Sequence, residues 1–207
     1  MIQRYKIYPR GFGANTYVLT ADGKRAVVID PSGYSAVREL SDRDLTPAYI
    51  LLTHCHFDHV MFVAELQKQG AKVVCLDKEL PNVNTEVDLF SMAGVNRKPF
   101  TVDQTVSDGE TFTLAGVTFT AYSMPGHTSG SAVYAVDAEG EKWLFTGDVL
   151  FQESIGRTDF PTGSLSQMRE SLRRLKSMDG EYKVFSGHGD DTTLEEERKR
   201  NVFLQDV

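Results

Sequence analysis

Apolar positions along the chain fall into two successive cycles of short strands followed by helices. Apolar runs bounded by turn residues predict strands at Arg4–Tyr8, Thr16–Leu19 and Ala26–Ile29, the last ending in the turn signal Asp30-Pro31-Ser32-Gly33. A short helix is expected over Ala36–Asp42, then a buried strand at Tyr49-Ile50-Leu51-Leu52. The next helix is predicted to start in the polar heptapeptide after that strand and to run to about Gln69, where Gly70 stops it; a strand follows over Lys72–Leu76. The middle reads as a helix over Asn82–Met92 and a loop over Gly94–Thr101. In the second cycle, strands fit Thr111–Leu114, Val117–Tyr122, Ala132–Val136 and Trp143–Thr146. A long helix begins at Ser164, which has capping-box spacing to Gln167, and its apolar stripe is Leu165, Met168, Leu172 and Leu175. Val184–Ser186 is a short strand, and the last helix starts near Thr193 with Glu196 as its box partner. Strands then helices, twice, in 207 residues imply one α+β domain over residues 1–207, with two sheets face to face and helices outside each.

Composition narrows the function classes. Apolar residues make up 41% and charged residues 25%, as in an ordinary globular protein. No apolar stretch approaches the length of a membrane span, and Met1-Ile2-Gln3-Arg4-Tyr5 lacks the apolar core of a signal peptide, so a cytoplasmic protein without membrane association is expected. Cys55 and Cys75 make no disulfide framework, in keeping with a reducing compartment. A net charge of −7, from 29 acids against 22 bases, disfavours nucleic acid as a partner. The densest basic run, Arg198-Lys199-Arg200, directly follows Glu195-Glu196-Glu197 and reads as a solvated helix with i,i+4 pairs.

The candidate chemistry lies in the histidines. There are five, and His54, His56 and His59 share the heptapeptide Thr53-His54-Cys55-His56-Phe57-Asp58-His59. His127 and His188 follow predicted strands at glycine-rich turns, as does Asp148 in Thr146-Gly147-Asp148. In extended chain, residues 54, 56 and 58 point to one side, and Cys55 and Phe57 to the other, into the fold. Neutral imidazole with carboxylate suits zinc, iron or manganese. His54, His56, Asp58, His59, His127, Asp148 and His188 are seven donors, too many for one tetrahedral ion and the right number for two ions sharing a carboxylate. Cys55 and Cys75 read as packed core residues, as do Trp143 and the phenylalanines.

The ordered set Thr-His-x-His-x-Asp-His, Gly126-His127-Thr128, Gly147-Asp148 and Gly187-His188-Gly189 resembles the metallo-β-lactamase superfamily. Ser154-Ile155-Gly156-Arg157-Thr158-Asp159-Phe160 and Asn15-Thr16-Tyr17 resemble its short glyoxalase II-like, or hydroxyacylglutathione hydrolase-like, branch. The resemblance implies a four-layer αβ/βα sandwich with metals at one edge of the sheets. It also implies that His54, His56 and His127 hold one metal, that Asp58, His59 and His188 hold the other, and that Asp148 bridges them. Three departures stand out. Val60-Met61-Phe62 replaces a Gly-Gly pair and is expected to put bulk beside the site. The chain ends about twenty residues after His188, where longer members carry a glutathione-recognising region, so glutathione is not fixed as the thiol. Ser129 replaces a proline. Arg157 and Asp159 are expected to tie the Gly156 loop to the body, with Arg157 a candidate for meeting an anionic substrate.

The expected reaction is hydrolysis of a small thioester, with Asp58 and Asp148 as catalytic carboxylates. Two ions bring the pKa of a shared water toward neutrality and so supply a hydroxide nucleophile. A thiolate leaves without a proton, whereas an amide nitrogen needs one. The β-lactam-cleaving members lack an Asp at the position of Asp148, which disfavours that substrate. The alternatives are a mononuclear-iron persulfide dioxygenase, another metal-dependent hydrolase of the same fold, or a metal-binding partner protein without turnover.

Overall fold

The computed structural model describes residues 1–9, 11 and 13–207. The first sheet is built in chain order from β1 (Gln3–Ile7), β2 (Thr16–Thr20), β3 (Arg25–Ile29), β4 (Thr46–Leu52), β5 (Lys72–Leu76) and β6 (Gln104–Val106). β1 to β3 pair antiparallel, and β3 to β6 pair parallel. The second sheet has the order β12-β11-β10-β9-β8-β7, from β7 (Thr111–Leu114), β8 (Val117–Ser123), β9 (Ala132–Ala138), β10 (Glu141–Gly147), β11 (Lys183–Ser186) and β12 (Thr192–Thr193).

Period-two alternation sorts the strand residues into layers. Val27 and Ile29 of β3 face the second sheet in a core with Phe119, Tyr134, Phe145 and Phe185, while Ala26 and Val28 face outward. The outward face is covered by α1 (Tyr34–Asp42) and α3 (Val63–Lys68), through Ala36, Leu40, Val63 and Leu66. On the second sheet, Val133, Leu144 and Val184 lie under Met168, Leu172 and Leu175 of α5 (Leu165–Lys176) and under Leu194 and Leu204 of the C-terminal helices α6 (Leu194–Arg200) and α7 (Val202–Gln205). The result is the expected four-layer αβ/βα sandwich. Each fully buried large side chain contributes roughly 1.5–3 kcal/mol, so the layered core holds the strand ends that carry the site. No helix of the described residues is long and apolar enough to cross a membrane.

Local expectations held where a side chain caps a helix. Ser164 Oγ accepts from the Gln167 amide and Thr193 Oγ1 from the Glu196 amide. Two helices differ from expectation. The one predicted from the heptapeptide to Gln69 is split into α2 (Phe57–Val60) and α3, because the Phe62 amide donates to the Pro31 carbonyl and leaves the helical ladder. The predicted helix Asn82–Met92 is replaced by two 3₁₀ turns, Leu80–Asn82 and Glu86–Asp88, and by α4 (Phe90–Ala93). Thr85 Oγ1 donates to the Asn82 carbonyl, Asp88 takes the Phe90 amide, and Leu89 is left-handed at φ 64°. Short polar side chains there capture backbone groups that a helix would need.

Candidate metal centre

Every donor singled out in the sequence sits past the C-terminal end of a strand. β4 leads through Thr53 into His54-Cys55-His56, and α2 begins at the next residue, which carries Asp58 and His59. His127 follows β8, Asp148 follows β10 and His188 follows β11. The described donors form three groups within coordination reach: His54, His56 and His127; His54, His59 and Asp148; Asp58, His59 and His188. Asp148 stands between the sets, with Oδ2 3.4 Å from His127 Nε2 and 3.5 Å from His188 Nε2, and Oδ1 3.2 Å from His59 Nε2. His188 Nε2 lies 3.2 Å from Asp58 Oδ2, and His127 Nε2 lies 2.8 Å from His56 Nδ1.

Hydrogen bonds behind the imidazoles fix which nitrogen faces the centre. His59 Nδ1–H donates to Asp30 Oδ2 at 2.9 Å, and His127 Nδ1–H donates to the Arg157 carbonyl at 2.8 Å. Thr53 Oγ1 gives its proton to Asp30 at 2.6 Å and lies 3.1 Å from His54 Nδ1, so it accepts from that ring. Each bond turns Nε2 inward as the nitrogen that can offer its lone pair to a metal. Among the described residues, the buried polar atoms without a hydrogen-bond partner include His54 Nε2, His56 Nε2, His59 Nε2 and Asp148 Oδ1. Such groups are costly unless something pairs them. His59 Nε2 and Asp148 Oδ1, 3.2 Å apart, need positive charge between them, either a proton on the ring or a metal ion in its place. The donors therefore fit divalent metal.

Charges divide the histidines into two sets. Burial, reinforced by the surrounding imidazoles, pushes His54 well below the usual histidine range, and burial with His127 pushes His56 down to about 3. Burial opposes a proton on His59, but Asp148, Asp58 and Asp30 outweigh it and hold its pKa well above the ordinary value. Burial likewise opposes ionisation of Asp148, yet His59 and His127 hold that carboxyl below the usual range.

The centre opens into a cavity of about 560 Å³. Its lining includes Phe57, which differs from expectation: the chain is already helical at that residue, so the ring turns to the cavity instead of wholly into the fold. Cys55 is buried as expected. Met61 and Phe62 also differ, since they line a separate groove with Tyr8 and Tyr34 and leave the cavity's shape to other residues. Arg157 lines the cavity, but its guanidinium forks onto Asp159 at 2.6 and 2.7 Å and lies over the Phe160 ring. The pair binds itself; the loop is tied down by the Arg157 carbonyl on His127 and by Gly156, whose Cα is so close to Asp148 that a Cβ would meet its carbonyl at 1.9 Å.

Two further residues belong to the site. Asp30, read as part of a turn, gathers Thr53 and His59; its signal was an Asp directly after an apolar strand, the same setting as Asp148. Glu79 is fully buried and accepts from the Cys55 amide at 2.9 Å, Asn82 Nδ2 at 2.8 Å and Thr128 Oγ1 at 2.9 Å. It thus clips the loop of His54 and His56 to the loop of His127. Nothing in the sequence around Glu79 marked it.

The profile of the metallo-beta-lactamase superfamily matches residues 9–188. The chain belongs to the metallo-beta-lactamase superfamily. Within that superfamily, it is 33% identical over 205 residues to hydroxyacylglutathione hydrolase GloC of Haemophilus influenzae, covering 93% of each chain. Among solved structures it is similar to TTHA1623 in a di-iron-bound form, with 32% identity, TM-score 0.84 and coverage of 96% of this chain and 99% of the other. It is also similar to BLEG-1, described as a B3 metallo-beta-lactamase, with 34% identity, TM-score 0.84 and coverage of 98% and 99%.

Proposed function

We propose that this superfamily member is a two-metal hydrolase of small thioesters. The observation that carries the reading is the cluster of seven donors, among which His54 Nε2, His59 Nε2 and Asp148 Oδ1 are buried without hydrogen-bond partners. His54, His56 and His127 would hold one ion, Asp58, His59 and His188 the other, and Asp148 would touch both. The di-iron form of the 32%-identical relative supports the count and makes iron a candidate beside zinc and manganese. Bound metal would supply Lewis acidity, polarising a substrate carbonyl and acidifying water at neutral pH.

The chain's own groups do the rest. Asp30 and the Arg157 carbonyl hold His59 and His127 in one tautomer and orientation. Asp58 and Asp148 face the cavity as carboxylates, offset positive charge and can accept a proton or hydrogen bond from an attacking water. Among the described residues, the titratable side chains lining the cavity are the metal-site donors and Arg157, whose guanidinium keeps its protons. A thiolate departs without a proton and so asks nothing further of these groups, whereas an amine would need the proton returned to it. The name of the Haemophilus relative agrees with thioester cleavage. A β-lactam is the second reading, favoured by the likeness to BLEG-1.

Elemental analysis should give close to two metal ions per chain. One acyl group joined in turn to a thiol, an alcohol and an amine should be cleaved in that order of rate, with a β-lactam as a further substrate. Amide or β-lactam turnover equal to that of the thioester would overturn the reading. One iron per chain with oxygen uptake on a persulfide would replace it with the dioxygenase.

A further inference from the structure

From the cavity walls we infer that the substrate is a thioester of an apolar acyl group, of about four to eight carbons or aromatic, and not of a small hydroxy acid on an anionic thiol; this rests on the thioester reading above. The donors occupy one part of the cavity lining, and what remains is almost entirely hydrocarbon. Leu89, Met92, Ala93 and Val95 contribute from the segment around α4. A phenyl ring stands beside each half of the centre: Phe160 is 5.7 Å from the His56 ring, and Phe151 is 5.8 Å from the His188 ring. Met92 is 63% exposed and Val95 40% exposed, so apolar surface at the cavity faces water. Such surface is stabilised when an apolar group covers it.

Among the described residues, the fixed positive charge near the cavity is already engaged. Arg157 has its fork filled by Asp159 and one face on Phe160. The cations that follow the α4 segment are paired as well, Arg97 with Asp88 and Lys98 with Glu65. A carboxylate-bearing thiol would have to displace one of these partners, whereas an alkyl or aryl group meets Met92, Val95 and the two phenyl rings without any exchange. At 560 Å³ the cavity lies within the range of small-molecule sites, with room for an acyl chain longer than lactoyl.

The test compares acetyl, lactoyl, butyryl, hexanoyl and phenylacetyl thioesters of one neutral thiol, N-acetylcysteamine, with S-lactoylglutathione. In parallel, binding of the matching unreactive thioethers is measured, so that the readout does not depend on turnover. kcat/KM and thioether affinity should each rise about two- to fourfold per methylene from acetyl to hexanoyl, the increment expected for covering one methylene. Met92→Lys and Val95→Asn should flatten that slope. A flat or falling slope in both measurements overturns the inference, as does tenfold preference for S-lactoylglutathione over the hexanoyl thioester. If no thioester is cleaved, the thioester reading fails by itself, and the thioether slope still decides whether the cavity takes apolar chains.

Discussion

Asp30 illustrates how a residue that touches no substrate can govern a metal site. Its two oxygens take the Thr53 amide, the Thr53 hydroxyl and the His59 ring N–H, so it sets the orientation of one donor directly and of His54 through Thr53. Asp30→Asn keeps the size but turns one acceptor into a donor facing donors. Metal affinity should fall roughly 10–100-fold, read by competition with a coloured chelator. Unchanged affinity would mean that the bond to Asp30 does not orient His59. Asp148→Asn acts on the centre itself, where the carboxylate lies between His59, His127 and His188. Turnover should drop about 100-fold or more, with lower metal occupancy, and near-normal turnover at full loading would show that Asp148 does not act on bound metal. The donors were legible because crowded imidazoles have few other uses. Asp30 was not, because its function appears only when His59, distant by 29 positions, is brought onto it. Gly187 was legible as a turn glycine but needs glycine for space: a Cβ there would stand 2.3 Å from Asp148 Oδ1.

Among the elements, the loops after β4 and β8 are joined by Glu79, just past β5. Gly130 packs so closely on it that a Cβ would lie 2.3 Å from the Glu79 amide nitrogen. Glu79→Gln would set an NH₂ group against the Cys55 amide or the Asn82 and Thr128 donors. Leaving such a group unsatisfied costs about 1–3 kcal/mol, and thermal melting should show the loss. Metal affinity should fall with it, since His54, His56 and His127 are positioned by the two loops that Glu79 connects. A variant that melts lower yet binds metal as before would make Glu79 purely structural. Amphipathic elements with a polar cap, such as α5 and α6, could be read from sequence because periodicity and capping agree there. The segment from Asn82 to Met92 could not, since its apolar residues have helical spacing while Thr85, Asp88 and left-handed Leu89 break the ladder. Three-residue β6, with one buried position, gave too little pattern to see.

For the whole molecule, the decisive feature is that both sheets feed one centre. The first supplies His54, His56, Asp58 and His59 past β4, and the second supplies His127, Asp148 and His188. Because the complete donor set exists only when the sheets are packed, metal binding is linked to folding. Metal at about 100 times its dissociation constant stabilises by roughly 2.7 kcal/mol, so chelation should lower the melting temperature by on the order of 5–10 °C. An unchanged melting temperature would separate the histidines from metal. The same division has a consequence for biosynthesis. Translation delivers the first sheet with four donors well before Asp148 and His188 leave the ribosome, so a nascent chain can present only open, partial sites to the cell's metal pool. Final loading then belongs to the time after β11 has docked, and a metal captured too early, by His54 and His56 alone, can still be exchanged until His127 arrives to close around it.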